Sequence, residues 1–530
     1  MMYSIYLSLL NYSYSMQSDR KVKVFLHTSC VMDNDLERLF SSSRIRSRFC
    51  FILMNDCYYE TKLLTKSRID NIGKNAQLIL KSCARYIDGN MREHYRFHKA
   101  SGKPNIIQRL HPSKNNEYIF AFYNPSAAEE FLLNTVPSAK ESKEAMIKSI
   151  DLSPMNHIKI LTFNKQLNNR IDYEYSYTSP VPLTAFTIEN FSKWKLWRAP
   201  QAVNVSPGDR TDECEVFYIN LPSQDKVLAI SREQFADKCI AYGGHAKIYS
   251  VENCEELRGK VLKIFNNKYR SAGNKKNSSI VRNYLLELKE YKKIFGDRIA
   301  LPDAIITDEK GEVVGFVMKY FENLTTVNHL SVVNAKNLMI DMAHYAPETK
   351  SRELALLLLE MSLFQLKMTD ISYTNICCTE EKHIVIVDAD SIESRSFIFS
   401  QYFITPTFTN RRLITKNNNL TLGKTPTRSL HFSDIYSDFS FAVMLYYLYY
   451  TNSPLDMNGK NYEITYPNWK IAKEKGITSV TRNRIQAPQP LKMQWESGII
   501  PEKRRLSFVN HFSGDTIYTI GQWIDVLDLE

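Results

Sequence analysis

A chain of 530 residues with 44% hydrophobic content is long enough for two to four domains with ordinary buried cores. No window approaches about 18 consecutive apolar residues, which argues against a membrane span, and nine scattered cysteines without a C-x-x-C exclude a patterned zinc site or disulfide framework and fit a reducing cytoplasm. The net charge of +11 is uneven: residues 1–200 hold 28 Lys+Arg against 18 Asp+Glu, and residues 201–530 hold 40 against 39, so an RNA or other polyanion partner, or a solvated basic face, belongs to the N-terminal part.

Residues 1–20, "MMYSIYLSLLNYSYSMQSDR", have no basic leading segment and no small-residue cleavage site; they are expected to be a disordered lead-in, or to precede a start at Met16. From 21 to 195, short apolar runs of β type ("KVKVFLH", "RFCFILMN", "EYIFAFYN", "HIKILTFN") alternate with helical stretches such as "RIDNIGKNAQLILKSCARYID". That alternation predicts an α/β domain with a largely parallel sheet. Pro, Gly, Asp and Ser punctuate residues 196–235, which predicts a linker with one or two short strands. Residues 236–325 are strand-rich around one helical segment, "SSIVRNYLLELKEYKKIFG", and residues 326–530 are mostly helical, with "RELALLLLEMSLFQLKM" and "SDFSFAVMLYYLYYTN" as the clearest apolar helices. A small β-rich lobe thus precedes a larger helical one.

Several of these segments carry phosphate chemistry. In "AYGGHAKIYSV", Gly243 and Gly244 let backbone N–H groups approach a ligand closely, and Lys263 in the apolar run "KVLKIF" adds an ammonium. A buried lysine needs a counter-ion, and Glu287 or Glu290 of the following helix can supply it. Glu287 is preferred because Leu288, Tyr291 and Ile294 or Phe295 then form the docking stripe. In "DISYTNICCTEEKHIVIVDADS", Asp370 is followed by Asn375 and then Asp388. Such a set can take a proton from an attacking hydroxyl and hold a divalent cation against phosphate.

On these residues the part from 236 to 530 resembles the protein-kinase-like fold, a bilobal α+β architecture. The resemblance implies an N-lobe over 236–325, a C-lobe over 326–530, and ATP with Mg²⁺ or Mn²⁺ as cofactors. It further implies a glycine-rich loop at "GGHAKIY", a phosphate-contacting Lys263 with Glu287 as partner, and Met318 as gatekeeper, with the backbone of Lys319 to Phe321 facing adenine. Asp370 is then the catalytic base, Asn375 and Asp388 the metal ligands with Asp390 beside them, and Asp438 of "SDFSFAVML" a structural brace. "LPDAIITDEKGEVVGFVMKYF", "VDADS" and "FITPTF" are similar to a bacterial kinase-like family often joined to a helix-hairpin-helix module. Its members are often encoded beside metal-dependent phosphatases and von Willebrand factor A proteins, which implies a phosphatase partner; little chain follows the kinase part here to form the hairpin module. Departures are present: Ala241 and Ala246 stand at the first and third loop glycines, "MTD" replaces H-R-D, Ser372 replaces a Lys, and "TNRR" at 409–412 replaces P-E. The four retained polar residues favour an active enzyme over a pseudokinase.

The region 21–195 resembles PIN-type ribonuclease domains, which gather acidic side chains at strand ends around Mg²⁺ or Mn²⁺. Here His27 stands where D-T-S begins with Asp, and Asn164 and Gln166 stand where acids are expected, which leaves Glu60 as the matching carboxylate; Asp33 and Asp35 lie nearby in sequence. The domain is therefore read as PIN-like and inactive, binding RNA or docking a partner. The leading expectation is a cytoplasmic Ser/Thr protein kinase. The alternatives are a silent pseudokinase and PIN-like nucleic-acid scaffold, a nucleotide-regulated ribonuclease, and transfer of AMP or phosphorylation of a small molecule.

Overall fold

The computed structural model describes residues 4–16, 21–69, 71–88, 91–92, 118–124, 127, 158–162, 183–186, 201–203, 216–221, 226–242, 246–251, 254–265, 275–326, 347–372, 374–380, 383–394, 397–399, 438, 440–446, 448, 456–457, 460–461, 507–508, 511 and 518–529. They fall into two units: Met1–Trp197 with Met342–Gln365 and Arg428–Glu530, and Arg198–Asp341 with Leu366–Thr427. Among the described residues no helix is long and apolar enough to cross a membrane.

The first unit contains the expected parallel sheet. Strands β1 (Val22–Leu26), β2 (Phe49–Leu53), β3 (Ala84–Arg85), β4 (Tyr118–Phe122), β5 (Ile158–Thr162) and β6 (Leu183–Phe186) lie in the order β3-β2-β1-β4-β5-β6, every neighbouring pair parallel. All five residues of β4, "YIFAF", are buried, as expected for a central parallel strand covered on both faces. The order reverses between β1 and β4, so His27, which follows β1, and Asn124, near the end of β4, flank the switch point where ligands sit in such sheets.

The expected disordered lead-in is corrected by the helix Ile5–Ser15, in which Ile5, Leu9 and Ser13 are buried on one face. The physical reason lies 28 residues away: Asp33 Oδ2 accepts the Ile5 N–H at 2.6 Å, satisfying a helix-start donor with a carboxylate at the positive end of the dipole. Arg44 Nε donates to Ser13 Oγ at 2.8 Å and its guanidinium lies 3.9 Å from the Tyr14 ring centroid, so Ser13 and Tyr14 have partners too. Helices Pro347–Leu363 and Ile520–Leu527 pack against the helix Asn55–Leu64 within the same unit.

Two buried ionisable groups contribute opposite acid responses in this unit. Burial pushes the fully buried His511 imidazole down to about 3. The unfolded chain then binds that proton more readily, so the stability contributed by neutral His511 is complete above about 6.5 and is lost as pH falls toward about 3. Burial pushes Asp33 up to about 6, against the lowering effect of N–H donors from Asp35 and Ile5. The sign is opposite here: between about 6 and 3.8 the folded state holds the extra proton, so stability increases as pH falls. The His511 window is wider and dominates. In urea titrations between about pH 7 and 4 the midpoint is expected to fall, His511→Asn to turn the fall into a rise, and Asp33→Asn to steepen it; an acid-insensitive midpoint would contradict the assignment.

The second unit is built on a seven-stranded antiparallel sheet of β7 (Val216–Leu221), β8 (Lys226–Ser231), β9 (Cys239–Tyr242), β10 (Ala246–Ser250), β11 (Lys260–Phe265), β12 (Pro302–Thr307) and β13 (Val313–Lys319). Its order is β8-β7-β12-β13-β11-β10-β9. One face supplies a core of Phe217, Ile219, Ile230, Leu262, Ile264, Ile306, Val317 and their neighbours. Because side chains alternate along a strand, Leu262 and Ile264 of β11 enter that core while Lys263 between them projects from the opposite face. Gly315 of β13 is required by close approach: a Cβ there would lie 2.1 Å from the Lys263 carbonyl oxygen, so a larger residue would shift the strand that carries the lysine.

Candidate phosphotransfer site

Lys263 is buried, and its Nζ donates to Asp388 Oδ1 at 2.5 Å and also to Asp390 Oδ1. Its ammonium lies 5.8 Å from the ring centroid of Phe316, its cross-strand neighbour. An ammonium buried in this way is tolerable because it is paired and hydrogen-bonded.

The segment from Asp370 to Asp390 is shaped by two short ladders. Before the loop, Lys367–Met368 pairs antiparallel with Ile392–Glu393, and Thr369 donates its N–H and its hydroxyl to Ser391 O at 2.9 and 2.7 Å. After it, β14 (Ile376–Cys378) pairs antiparallel with β15 (Ile384–Ile386), and Val387 N–H donates to Asn375 O at 3.0 Å. The hairpin therefore brings Asn375 and Asp388 to the same end, which gives the thirteen-residue spacing its meaning. β15 is fixed in turn by Ile386, whose N–H donates to Arg298 O and whose carbonyl accepts from Ala300 N–H, both at 2.8 Å.

Within the loop, Asn375 Nδ2 donates to Asp370 Oδ2 at 3.0 Å and to Asp370 O at 3.1 Å. The Thr374 hydroxyl donates to Asn375 Oδ1 at 3.3 Å. The amide is thus oriented with its nitrogen on Asp370 and its oxygen on the other side. Asp388 has one oxygen on Lys263, and its side chain is 34% exposed. An accessible carboxylate oxygen and an amide oxygen form a hard donor set that fits Mg²⁺, which takes one or two carboxylates and completes its shell with water and substrate phosphate. Asn375 and Asp388 would hold it. Among the described residues no group of three or more His, Cys, Asp or Glu gathers in a way that could hold a metal ion.

Glu287, expected as the partner of Lys263, requires correction: it is half-buried on the helix Lys275–Glu290, and among the described residues it forms no ion pair with Lys263. The physical reason is that Asp388 and Asp390 already occupy the ammonium. The helix instead reaches the site through Tyr284, whose hydroxyl donates to Ile392 O at 2.6 Å and lies 3.3 Å from Ala389 O. Neither Tyr284 nor the pairing of Asp390 with Lys263 is among the sequence expectations; extending the stripe Leu288, Tyr291, Phe295 back by four residues reaches Tyr284.

Met318 is buried in β13 opposite Val261 and Pro302. Lys319 Nζ reaches Asp297 Oδ1 at 3.2 Å and sits 5.0 Å from the Phe321 ring centroid, and Tyr320 N–H donates to Gly259 O. Gly243 and Gly244, which join β9 to β10, lie outside the described residues. Asp438 is buried at a helical position of the first unit.

In the first unit, Glu60 Oε2 accepts the Thr28 hydroxyl at 2.5 Å, and His27 Nδ1 accepts the Ser29 N–H at 3.0 Å. Asp33 is committed to the N–H groups of Ile5 and Asp35, and Asn164 lies outside the described residues. This donor set does not fit a hard divalent ion.

No known family model matches the chain, and no curated protein does. Among solved structures it is similar to a rhoptry kinase from Toxoplasma gondii, at 10% identity and a TM-score of 0.38, covering 59% of this chain and 81% of that one. It is also similar to the ROP18 kinase domain in complex with AMP-PNP and sucrose, at 10% identity and a TM-score of 0.35, covering 60% of this chain and 82% of that one. A Toxoplasma gondii specific rhoptry antigen kinase domain shows 9% identity and a TM-score of 0.35, covering 59% and 84%. The chain is a mixed α/β protein whose structural neighbours are kinase domains.

Proposed function

We propose that this protein is an ATP- and Mg²⁺-dependent protein kinase of bacterial type acting on Ser or Thr. The observation that carries the reading is the buried Lys263 on Asp388, with Asp370 and Asn375 bonded to each other in the adjoining loop. The strand order β9-β10-β11-β13-β12 beneath Lys263 also supports it.

In this reading Lys263 orients the nucleotide phosphates. Asp370, oriented by the Asn375 amide, accepts the proton of the attacking hydroxyl as the γ-phosphoryl group moves from ADP to that oxygen. Mg²⁺ held by Asn375 and Asp388 would neutralise phosphate charge. Catalysis is positioning and electrostatic stabilisation, with no covalent intermediate on the protein. Residues 21–195 are read as a PIN-like remnant that docks RNA or a protein partner, the basic excess of residues 1–200 favouring a polyanion, and a metal-dependent phosphatase is the partner the family resemblance suggests.

The test is transfer from γ-labelled ATP with Mg²⁺, using the intact chain and Asp388→Asn. Label on the protein or on an added general substrate, reduced about 10²-fold or more in the variant, is the expected result. Absence of transfer while ATP still raises the melting temperature would overturn the kinase reading in favour of a nucleotide sensor.

A further inference from the structure

Resting on the reading of Lys263 as the phosphate-orienting lysine, we propose that Asp390 is its standing counter-ion and a positioning residue of the site, with Tyr284, not Glu287, linking the Lys275–Glu290 helix to it. The two carboxylates on Lys263 differ in burial. The Asp390 side chain is 11% exposed and that of Asp388 34%. The more buried partner is the one suited to remain on the ammonium, since it gains least from water. Asp388 can then turn its accessible oxygen to a cation without leaving the lysine unpaired.

The intervening turn fixes this division. Ala389–Ser391 forms a short 3-10 turn, and the Ser391 hydroxyl donates to Asp388 O at 2.9 Å. The turn presents Asp388 and Asp390 to the same ammonium. The Tyr284 hydroxyl, buried with the rest of its ring, holds the backbone at Ala389 and Ile392. Glu287 lies three residues further along that helix and, among the described residues, is not ion-paired with Lys263. The helix thus braces the backbone of the turn, and the counter-ion comes from the turn itself.

The test uses the intact chain with Asp390→Asn, Asp390→Glu and Glu287→Gln, read by KM against kcat for ATP and by acylation of Lys263 with an amine-reactive ester, followed by peptide mass analysis. Asp390→Asn is expected to raise KM about tenfold with a smaller change in kcat, and to increase Lys263 labelling several-fold, because Lys263 then loses its more buried ion partner and is freer to meet the reagent. Asp390→Glu should restore both toward the parent, and Glu287→Gln should change both less than Asp390→Asn does. Larger effects from Glu287→Gln, or labelling unmoved by Asp390→Asn, would overturn the assignment. If the parent chain transfers no phosphate while labelling still responds to Asp390→Asn, the counter-ion assignment stands and the kinase reading falls.

Discussion

Replacing Lys263 with Met is expected to lower phosphoryl transfer by about 10²–10³-fold and also to destabilise the second unit by about 3–5 kcal/mol. The first effect follows from removing a preorganised cation where negative charge is handled. The second follows from what remains: Asp388 and Asp390, both bonded to Lys263 in the parent, would face each other without a cation. Asp390 is the more buried and carries most of the cost, while the 34% exposure of Asp388 lets water relieve part of it. Methionine keeps the length and apolar stem of lysine, so β11 should retain its packing and the loss should report charge.

The combined variant Lys263→Met, Asp388→Asn, Asp390→Asn separates the two effects. It should recover most of the stability in urea unfolding, because replacing a whole buried charged group is far milder than removing one member. It should recover none of the transfer. Stability left unrecovered in the combined variant would mean that the loss in Lys263→Met does not come from the stranded carboxylates, and the ion-pair account would be wrong.

Much of the second unit was legible because its central strands are short apolar runs, buried along most of their length. "KVLKIF" sets Lys263 inside such a run, so its strand and its burial follow from the apolar neighbours on either side. The Asp370, Asn375, Asp388 spacing was equally readable, since a loop followed by a short hairpin determines which residues return to one end. The lysine's partners were not readable. Local helical periodicity pointed to Glu287, whereas the carboxylates that reach Nζ lie 125 and 127 residues along the chain. A buried charge states that it needs a partner and does not state which.

The helix Ile5–Ser15 was hidden for the same reason. Its own run is rich in Tyr and Ser, and its N-terminal donor is satisfied by Asp33, outside any local window. The parallel sheet of the first unit was visible in its apolar runs, but the helices that cover Asn55–Leu64 come from hundreds of residues later and lie in a stretch that reads as part of a separate helical lobe. Thr519 Oγ1 donates to Asp56 Oδ2 at 3.0 Å across 463 positions.

That long-range packing leads to the other large expected effect. Trp523→Ala should destabilise the first unit by about 3–5 kcal/mol, and the loss should extend to the parallel sheet instead of remaining local to the C-terminal helix. All eight residues of Ile520–Leu527 are buried, and Thr519 caps the helix through a reciprocal bond with Gln522. Trp523 is fully buried against Phe508, Tyr518 and His511, with ring centroids at 4.6, 5.1 and 5.4 Å. Gly521 allows the helix to lie directly on the helix Asn55–Leu64: a Cβ there would sit 2.8 Å from the Asp56 carbonyl oxygen. Among the described residues, the helix Asn55–Leu64 is therefore covered at that contact by Ile520–Leu527. Hydrogen exchange in the intact Trp523→Ala chain should show β1, β2 and β4 losing protection together with residues 520–527. Protection retained in those strands while the terminal helix opens would show that the sheet stands without it, and the first unit would then be two cooperative bodies instead of one.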